Sequence, residues 1–536
     1  MLDFVFENAR IIDGTGNPWF MGDVGIANGT IAKVSPRIQD NACRRIDVSG
    51  LVLAPGFIDV HAHSDFSILW DPSIKYKLTQ GITTEICGNC GISGFPIRDN
   101  SLTRMQADVC GHLEFKPCWS SAEEYVAIVR KRPLGTNLGF LVGYNTVREY
   151  VAGVRQLLTC DEAFRIADLI DRAMKSGIMG LSSGLVYEPG NYTTTDELVR
   201  ACRVVAKRHG IYTTHTRGLR ETLTEGVLEA IEIARLAEIP VQISHLMPQY
   251  GGWDQLEPAI QAIESARQSG LDVTFDVHLD TIGGTSAFAT LPPCLKEGGI
   301  ASIAQRLSTA EDRAKAIEAI QEFVGPGTSG FLRHSRWDLL WVSQSPACIE
   351  YVGKPLASIA AEEGRDPWET YFDMLLKNGE RLQLMGLYTR VEELRRALSH
   401  PLSMVATDAV PLSPGQRCTT PRNYSTIPKL LGQYVRDERL LSLEQAVQKI
   451  TSKPAGRFRL VRRGMIAEGF HADIVVFDPD EIAAGLTDEM VIEGIVCNQP
   501  HSSGMHYVMV NGVLEIENGS VTGNLGGQVM LRRSTD

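Results

Sequence analysis

Apolar and polar positions alternate with period two at both ends of this chain. LDFVFENARIIDG, DVGIANGTIAKVSP and RIDVSGLVLAPG follow one another through residue 56, with Gly, Asn and Pro between them. DIVVFDP and YVMVNGVLEIENG repeat the texture near the other end. Such runs predict antiparallel strands. The two ends are expected to pair into one small composite β-domain, built from 1–55 and 461–536. Between them the period changes. Short apolar runs (NLGFLVG, IMGLSSG, GIYTTHT, PVQISH, DVTFDVH) alternate with helix-like stretches such as Cys160 to Gly177 and LTEGVLEAIEIARLAEI. Strand and helix in alternation predict βα units on a parallel sheet. About seven such units fit before residue 460, which favours a closed (β/α)₈ TIM-like barrel over 56–460. The segment from about 290 to 400 exceeds one βα unit, contains several helical stretches and is expected to be an insertion near the barrel mouth.

Composition narrows the class. The net charge is −12 with signs interspersed, which argues against nucleic acid or an anionic membrane as partner. An anionic small substrate stays allowed, since one arginine in a pocket suffices to hold it. No apolar stretch reaches the roughly 18–20 residues of a membrane span. The opening MLDFVFENARIIDGTG has acidic and polar residues where a signal peptide has a basic start. Eleven cysteines, odd in number and thinly spread, do not form a disulfide framework. The expected setting is a reducing cytoplasm, with homo-oligomerisation left open.

The chemistry-bearing residues cluster at the ends of the apolar runs. His61 and His63 in GFIDVHAHSD, Cys90 in EICGNCGIS, His215 in TTHTRG and His245 in QISHL each follow one. A parallel barrel presents such positions at its open, C-terminal face. The period-two spacing of His61 and His63 aims both imidazoles the same way. Imidazole and thiolate suit zinc. A lone histidine at a strand end is more often a hydrogen-bonded core residue; five ligand-type residues on successive units point to a metal. Cys87 and Cys90 have the C-x-x-C form of a redox pair or half a zinc ribbon, but no second C-x-x-C exists and the motif ends a strand. A single ligating thiol, Cys90, with Cys87 packed as a small apolar residue, fits better. Asp408, in LSMVATDAVPL, also ends an apolar run. Beside a metal it can take a proton and return it; its bland alternative is a turn or helix-cap aspartate.

Together these segments resemble the amidohydrolase superfamily and, within it, the N-acyl-D-amino-acid deacylase (D-aminoacylase) family. PGFIDVHAHSD resembles the first-strand metal motif, and QGITTEICGNCGIS the segment whose cysteine replaces the carboxylated lysine of other members. IMGLSSGLVYEPGNY contains no lysine, in agreement. GLSSGLVYEPG, THTRG, ISH, TDAV, PRNYSTIPKLLGQYV and the closing GRFRLVRRGMIAEGFHADIVVFDP extend the resemblance over essentially the whole chain. It implies one zinc held tightly by Cys90, His215 and His245, and a second, weaker position near His61 and His63 with Asp408 close by. It also implies that Arg422 grips a substrate carboxylate, with Tyr187 and Tyr192 either assisting or simply packing the loop at the mouth.

Two departures bear on the substrate. The family's D-x-Y-P-Y segment stands here as Asp276-Val277-His278-Leu279-Asp280, without either tyrosine. His278 can donate a proton to a developing oxyanion in place of a tyrosine; an ionised Asp280 cannot. His245 is followed by Leu246 and Met247, where relatives acting on acidic substrates carry a basic residue. Met247, Tyr250 and Trp253 suggest an apolar pocket wall or plain packing. The expectation is zinc-dependent hydrolysis of an amide C–N bond in an N-acyl-D-amino acid with an uncharged side chain. The rivals are the same metal site acting on a cyclic imide, a lactone or a C–C bond next to a carbonyl, and a non-catalytic scaffold.

Overall fold

A computed structural model describes residues 1–99, 101–110, 116–288, 290–297, 299–324, 330–411, 420–492 and 502–532. Parts of the expected insertion (298, 325–329) and of the C-terminal segment (493–501, 533–536) therefore lie outside the described residues.

Eight parallel strands form the centre: Phe57–Asp59, Ile82–Cys87, Asn137–Gly143, Gly180–Gly184, Ile211–His215, Val241–Ile243, Val273–Val277 and Ser403–Val405. They pair in chain order. The first and eighth meet just past their C-terminal ends. Ala62 bridges Ala409 in parallel sense, Asp408 N donates to His61 O at 2.9 Å, and His63 N donates to Ala409 O at 3.3 Å. The expected barrel is thus present, and it closes through the residues that carry its candidate chemistry. The runs read from the sequence fall on these strands. Most strand residues are fully buried, as a sheet covered by helices requires.

The intervening helices begin where capping chemistry allows. Thr159 accepts from Glu162 N while Glu162 accepts from Thr159 N, a capping box that starts Cys160–Lys175. Gly177, at φ +88°, turns the chain back to the sheet. The buried faces of Cys160–Lys175, Thr195–Ala206, Leu223–Ala237 and Leu256–Gln268 join the strands in one continuous core.

The terminal segments form a nine-stranded sheet of their own. The expectation of purely antiparallel strands there is corrected. Leu2–Ile11 is antiparallel to Phe20–Ala27, but parallel to both Ala42–Asp47 and Val52–Pro55. The hairpin of Phe20–Ala27 and Thr30–Ser35 supplies the long connection that a parallel return needs. Ile474–Phe477 then pairs with Val52–Pro55 across more than four hundred residues, joining the two ends. Between the seventh and eighth barrel strands lie several helices and a three-stranded antiparallel sheet of Ile282–Ser286, Leu340–Gln344 and Gln383–Leu387. This region has its own core around Phe331, Trp337, Trp368 and Tyr371. Among the described residues no helix is long and apolar enough to cross a membrane.

Candidate active site and metal centre

The strand ends deliver the candidate residues to one place. His61 and His63 lie two and four residues beyond the first strand, on the segment that closes the barrel. Cys90 sits in the turn after the second strand, between Gly88 (φ +84°) and Gly91 (φ +76°). A Cβ at Gly88 would stand 2.3 Å from Leu141 O, and one at Gly91 2.3 Å from Asn145 Oδ1. Only glycine lets this turn press so closely onto the neighbouring strands, and that explains the spelling CGNCG. His215 ends the fifth strand, His245 follows the sixth, His278 the seventh and Asp408 the eighth. Cys90, His245 and Asp408 all adopt left-handed backbone, at φ +53°, +34° and +48°. Non-glycine residues rarely do so, and such strain gathers at functional sites.

The side chains converge in two overlapping groups, Cys90–His215–His245 and His61–His63–Cys90–Asp408, with the ligand atoms of each within 4.8 Å of one another. Cys90 Sγ lies 3.6 Å from His215 Nδ1, 3.6 Å from His245 Nε2 and 3.2 Å from His61 Nε2. Asp408 Oδ1 lies 3.2 Å from His63 Nε2 and 3.3 Å from His61 Nε2. The residues fit a zinc ion: bonds of about 2.3 Å to sulfur and about 2.0–2.1 Å to nitrogen at a tetrahedral angle set those atoms about 3.6 Å apart.

Electrostatics reinforce the fit. Burial pushes the Cys90 thiol up, but the charge on His61 and the hydrogen bonds from His215, His245 and His61 outweigh it, so the group is held well below the ordinary thiol range, as thiolate. Burial likewise opposes ionisation of Asp408, yet Arg422, His61 and His63 hold it well below the usual carboxylate range. His215 is pushed down by burial and by His245, which favours the neutral imidazole that binds metal. Cys87 differs. Fully buried in the barrel core, its thiol is raised well above the ordinary range by burial and by Asp65 and Glu85.

Sequence reasoning missed the residues that hold this cluster in place. Asp276 Oδ1 accepts from His245 N at 2.8 Å and lies 3.4 Å from His61 Nδ1, while Gln242 Nε2 donates to Asp276 Oδ2 at 2.9 Å. Carboxylates behind metal-binding imidazoles fix their orientation. Asp59 accepts from His61 N (3.2 Å), Thr407 N (3.0 Å), Thr407 Oγ1 (2.6 Å) and Lys77 Nζ (2.6 Å), tying the ends of the first and eighth strands together. The available signal was an acid inside each apolar run, GFIDV and VTFDV, because a buried carboxylate needs a partner.

The remaining predicted residues divide. Arg422 opens the helix Arg422–Lys429, and its Nη1 donates to Asp408 Oδ2 at 2.7 Å. The Tyr187 ring packs on His215 at 4.9 Å between centroids. Tyr192 stays apart. Its hydroxyl donates to Glu188 Oε1 at 2.8 Å, and the charges acting on it are those of Glu188 and Arg148 rather than those of the cluster. His278 is buried beside Arg422, Asp408, His245 and His61; burial first, then Arg422, lowers its pKa to about 3. It is a neutral imidazole, and its Nδ1 has no hydrogen-bond partner among the described residues. Asp280 turns away, accepting from Arg422 N at 3.0 Å. Burial and the nearby Asp488 raise its carboxyl to about 7. Tyr250 stacks on Phe331 and meets Trp253 edge-on, so these aromatics form the contact between barrel loop and insertion.

A barrel with imidazoles, a thiolate and an ionised carboxylate converging at its C-terminal mouth defines a metal-dependent hydrolase. Residues 345–513 match the amidohydrolase family profile. The chain is 31% identical to a D-aminoacylase of Alcaligenes xylosoxydans xylosoxydans, over 99% of its own length and 98% of that protein. It is also 31% identical to an N-acyl-D-glutamate deacylase of the same organism, over 95% and 93%. The crystal structure of N-acyl-D-glutamate deacylase from Bordetella bronchiseptica, complexed with zinc and a phosphonate mimic of the tetrahedral intermediate, superposes with a TM-score of 0.81 at 28% identity, covering 99% of this chain and 100% of that one. The chain belongs to the D-aminoacylase family of amidohydrolases, enzymes that hydrolyse amide C–N bonds with a metal.

Proposed function

We propose that this protein is a zinc-dependent deacylase of N-acyl-D-amino acids with uncharged side chains. The observation that carries the reading is the Cys90 thiolate, 3.6 Å from both His215 Nδ1 and His245 Nε2 at the barrel mouth. Cys90, His215 and His245 would hold one ion, and a second, weaker position would lie near His61 and His63, with Asp408 close by. Zinc so held supplies Lewis acidity towards the scissile carbonyl and acidity towards the attacking water.

The protein's own groups do the rest. Asp408, ionised and accessible beside this set, takes the proton of the attacking water. It then hands that proton to the departing nitrogen, one residue serving as base and then acid as its protonation alternates. His278 donates an N–H to the oxygen on which negative charge develops, the task of an oxyanion-hole donor. Being neutral, it supplies that hydrogen bond without also surrendering a proton. Arg422 uses one nitrogen on Asp408, and the rest of its fork orients the substrate carboxylate. The Tyr187 hydroxyl, at the edge of the same space, assists. A reducing cytoplasm suits a site that depends on a thiolate, and all nine described cysteines are free.

The test is turnover of N-acetyl-D-leucine, -methionine, -phenylalanine, -aspartate and -glutamate and their L-enantiomers, with zinc determined on the same preparation. Hydrolysis of the uncharged D-substrates by zinc-loaded protein is the expected result. No turnover of any D-substrate would overturn the reading and direct attention to cyclic imides and lactones.

A further inference from the structure

Several arginines of the barrel loops and of the insertion packed against them carry anionic partners. Arg217 is paired with Glu229 at 3.0 Å, Arg333 with Glu221 at 2.5 Å, and Arg422 with Asp408 at 2.7 Å. Arg390 is paired with Glu393. Arg220 lies in the same loop as Arg217, five residues beyond His215. Among the described residues its guanidinium has neither a hydrogen bond nor an ion pair, and its sequence neighbour Glu221 is occupied by Arg333.

The side chain is nevertheless held in place. Gly252 packs so closely that a Cβ there would stand 2.4 Å from Arg220 Cα. Beyond it, the Arg220 stem passes Gly330, where a Cβ would lie 3.4 Å from Arg220 Cδ. Phe331, next in the chain, stacks on Tyr388 at 5.8 Å between centroids. Tyr388 is fixed at both ends of its backbone, its N donating to Thr281 O at 2.9 Å and its O accepting from Trp253 Nε1 at 3.0 Å. Its phenol has no hydrogen-bond partner among the described residues, and it lies within reach of the charges of both Arg220 and Arg422. Asp280, next to Thr281 in the chain, accepts from Arg422 N at 3.0 Å, so contacts run from Arg422 through Asp280–Thr281, Tyr388 and Gly330–Phe331 to Arg220. Burial pushes the Arg220 guanidinium down from its ordinary range, and the neighbouring Tyr388 and Glu221 oppose that shift. Arg220 is half-buried, and a positioned guanidinium fork that makes no ion pair among the described residues suits a carboxylate.

We propose that Arg220 and Tyr388 form a second substrate-carboxylate subsite, a specificity-determining hold beyond Arg422. This rests on the deacylase reading for its substrate class. The carboxylate can come from two sources. The α-carboxylate can bridge Arg422 and Arg220, leaving the side-chain preference uncharged; or a side-chain carboxylate can reach Arg220, making the preferred substrate acidic.

Kinetics of Arg220→Gln, Arg220→Lys and Tyr388→Phe holoenzymes test it on N-acetyl-D-leucine, N-acetyl-D-glutamate and the carboxylate-free N-acetyl-D-leucinamide. Arg220→Gln is expected to lower kcat/KM about 10- to 100-fold, the loss of a hydrogen-bonded charge, through KM rather than kcat. Arg220→Lys recovers part of it, and Tyr388→Phe, which removes one hydroxyl, loses less. A loss on both acids but not on the amide assigns the α-carboxylate, and a loss on the glutamate substrate alone assigns the side chain. An equal loss on the amide, or no loss anywhere, overturns the proposal. Calorimetry with glutarate on wild type and Arg220→Gln separates this from the deacylase reading. Weaker glutarate binding by the variant supports the subsite even if no N-acyl-D-amino acid is hydrolysed, whereas unchanged binding refutes it even if all are. Should Arg220→Gln not fold, Arg220→Lys and Tyr388→Phe carry the same comparison.

Discussion

Two clusters of buried charge lie a few residues apart on the first barrel strand, and they treat their charges in opposite ways. At the seam, Asp59, Lys77, Glu85 and Thr407 are all fully buried or nearly so. Lys77 Nζ donates to Asp59 Oδ2 and to Thr407 Oγ1 at 2.7 Å and lies 3.4 Å from Glu85; Glu85 also accepts from Ser64 and Thr136. Every donor there meets an acceptor. At the mouth, by contrast, His63 Nδ1, His215 Nε2 and His278 Nδ1 lack hydrogen-bond partners among the described residues, and Cys90, His245 and Asp408 have strained backbone. A closed network stabilises one geometry, whereas a site keeps valences open for what it binds. Both occupy the same barrel, so burial of charge by itself does not mark function; incompleteness does.

The comparison can be broken at either end. The largest effect is expected at the Cys90 thiolate, which belongs to both groups of candidate ligands. Cys90→Ala should remove zinc and activity together while the fold persists, and full metal content by elemental analysis would show that Cys90 is not a ligand. Asp408→Asn comes next. It keeps the shape but not the base, so kcat should fall by about 10²–10⁴ or more while the tight metal remains; near-normal turnover would end its role as proton shuttle. The seam should answer differently. Lys77→Met leaves Asp59 and Glu85 buried without their cation, at a cost of about 3–5 kcal/mol in denaturant unfolding, with a much smaller fall in turnover per folded molecule than Asp408→Asn gives. Unchanged stability would mean that the closed network does not hold the barrel together. His278→Ala should lower kcat by about 10²–10³ with a smaller change in KM, and His278→Tyr should retain activity; an effect confined to KM would reassign His278 to binding. The smallest effect is expected from Cys87→Ala, about 1 kcal/mol of stability with zinc and activity kept, since that thiol is core packing. Loss of zinc there would revive the paired reading of C-x-x-C.

What was legible in the sequence was whatever is encoded locally. The barrel strands appeared as apolar runs because a strand covered on both faces reads so within a few residues. His61, His63, Cys90, His215, His245, His278 and Asp408 were each singled out because they directly follow an apolar run, which is where the barrel strands end. The left-handed backbone of Cys90, His245 and Asp408 could not be read from their residue types, since the types that favour it adopt it only in a minority of places. Tyr192 illustrates the converse, a residue with the right local context whose hydroxyl is drawn to Glu188 on its own loop.

The rest was decided by long-range pairing. The parallel returns onto Leu2–Ile11 depend on which strand the sheet places beside it. The Asp59–Thr407 stitch spans 348 residues, and the Arg220–Gly330–Phe331–Tyr388 arrangement joins a barrel loop to the insertion. No periodicity records such partners, because a side chain's pattern encodes how buried it will be but not what it will be buried against. The sequence thus determined the barrel, its class of chemistry and the candidate residues at the strand ends. Only the tertiary structure decided which of those charges are closed into networks and which stay open to a substrate.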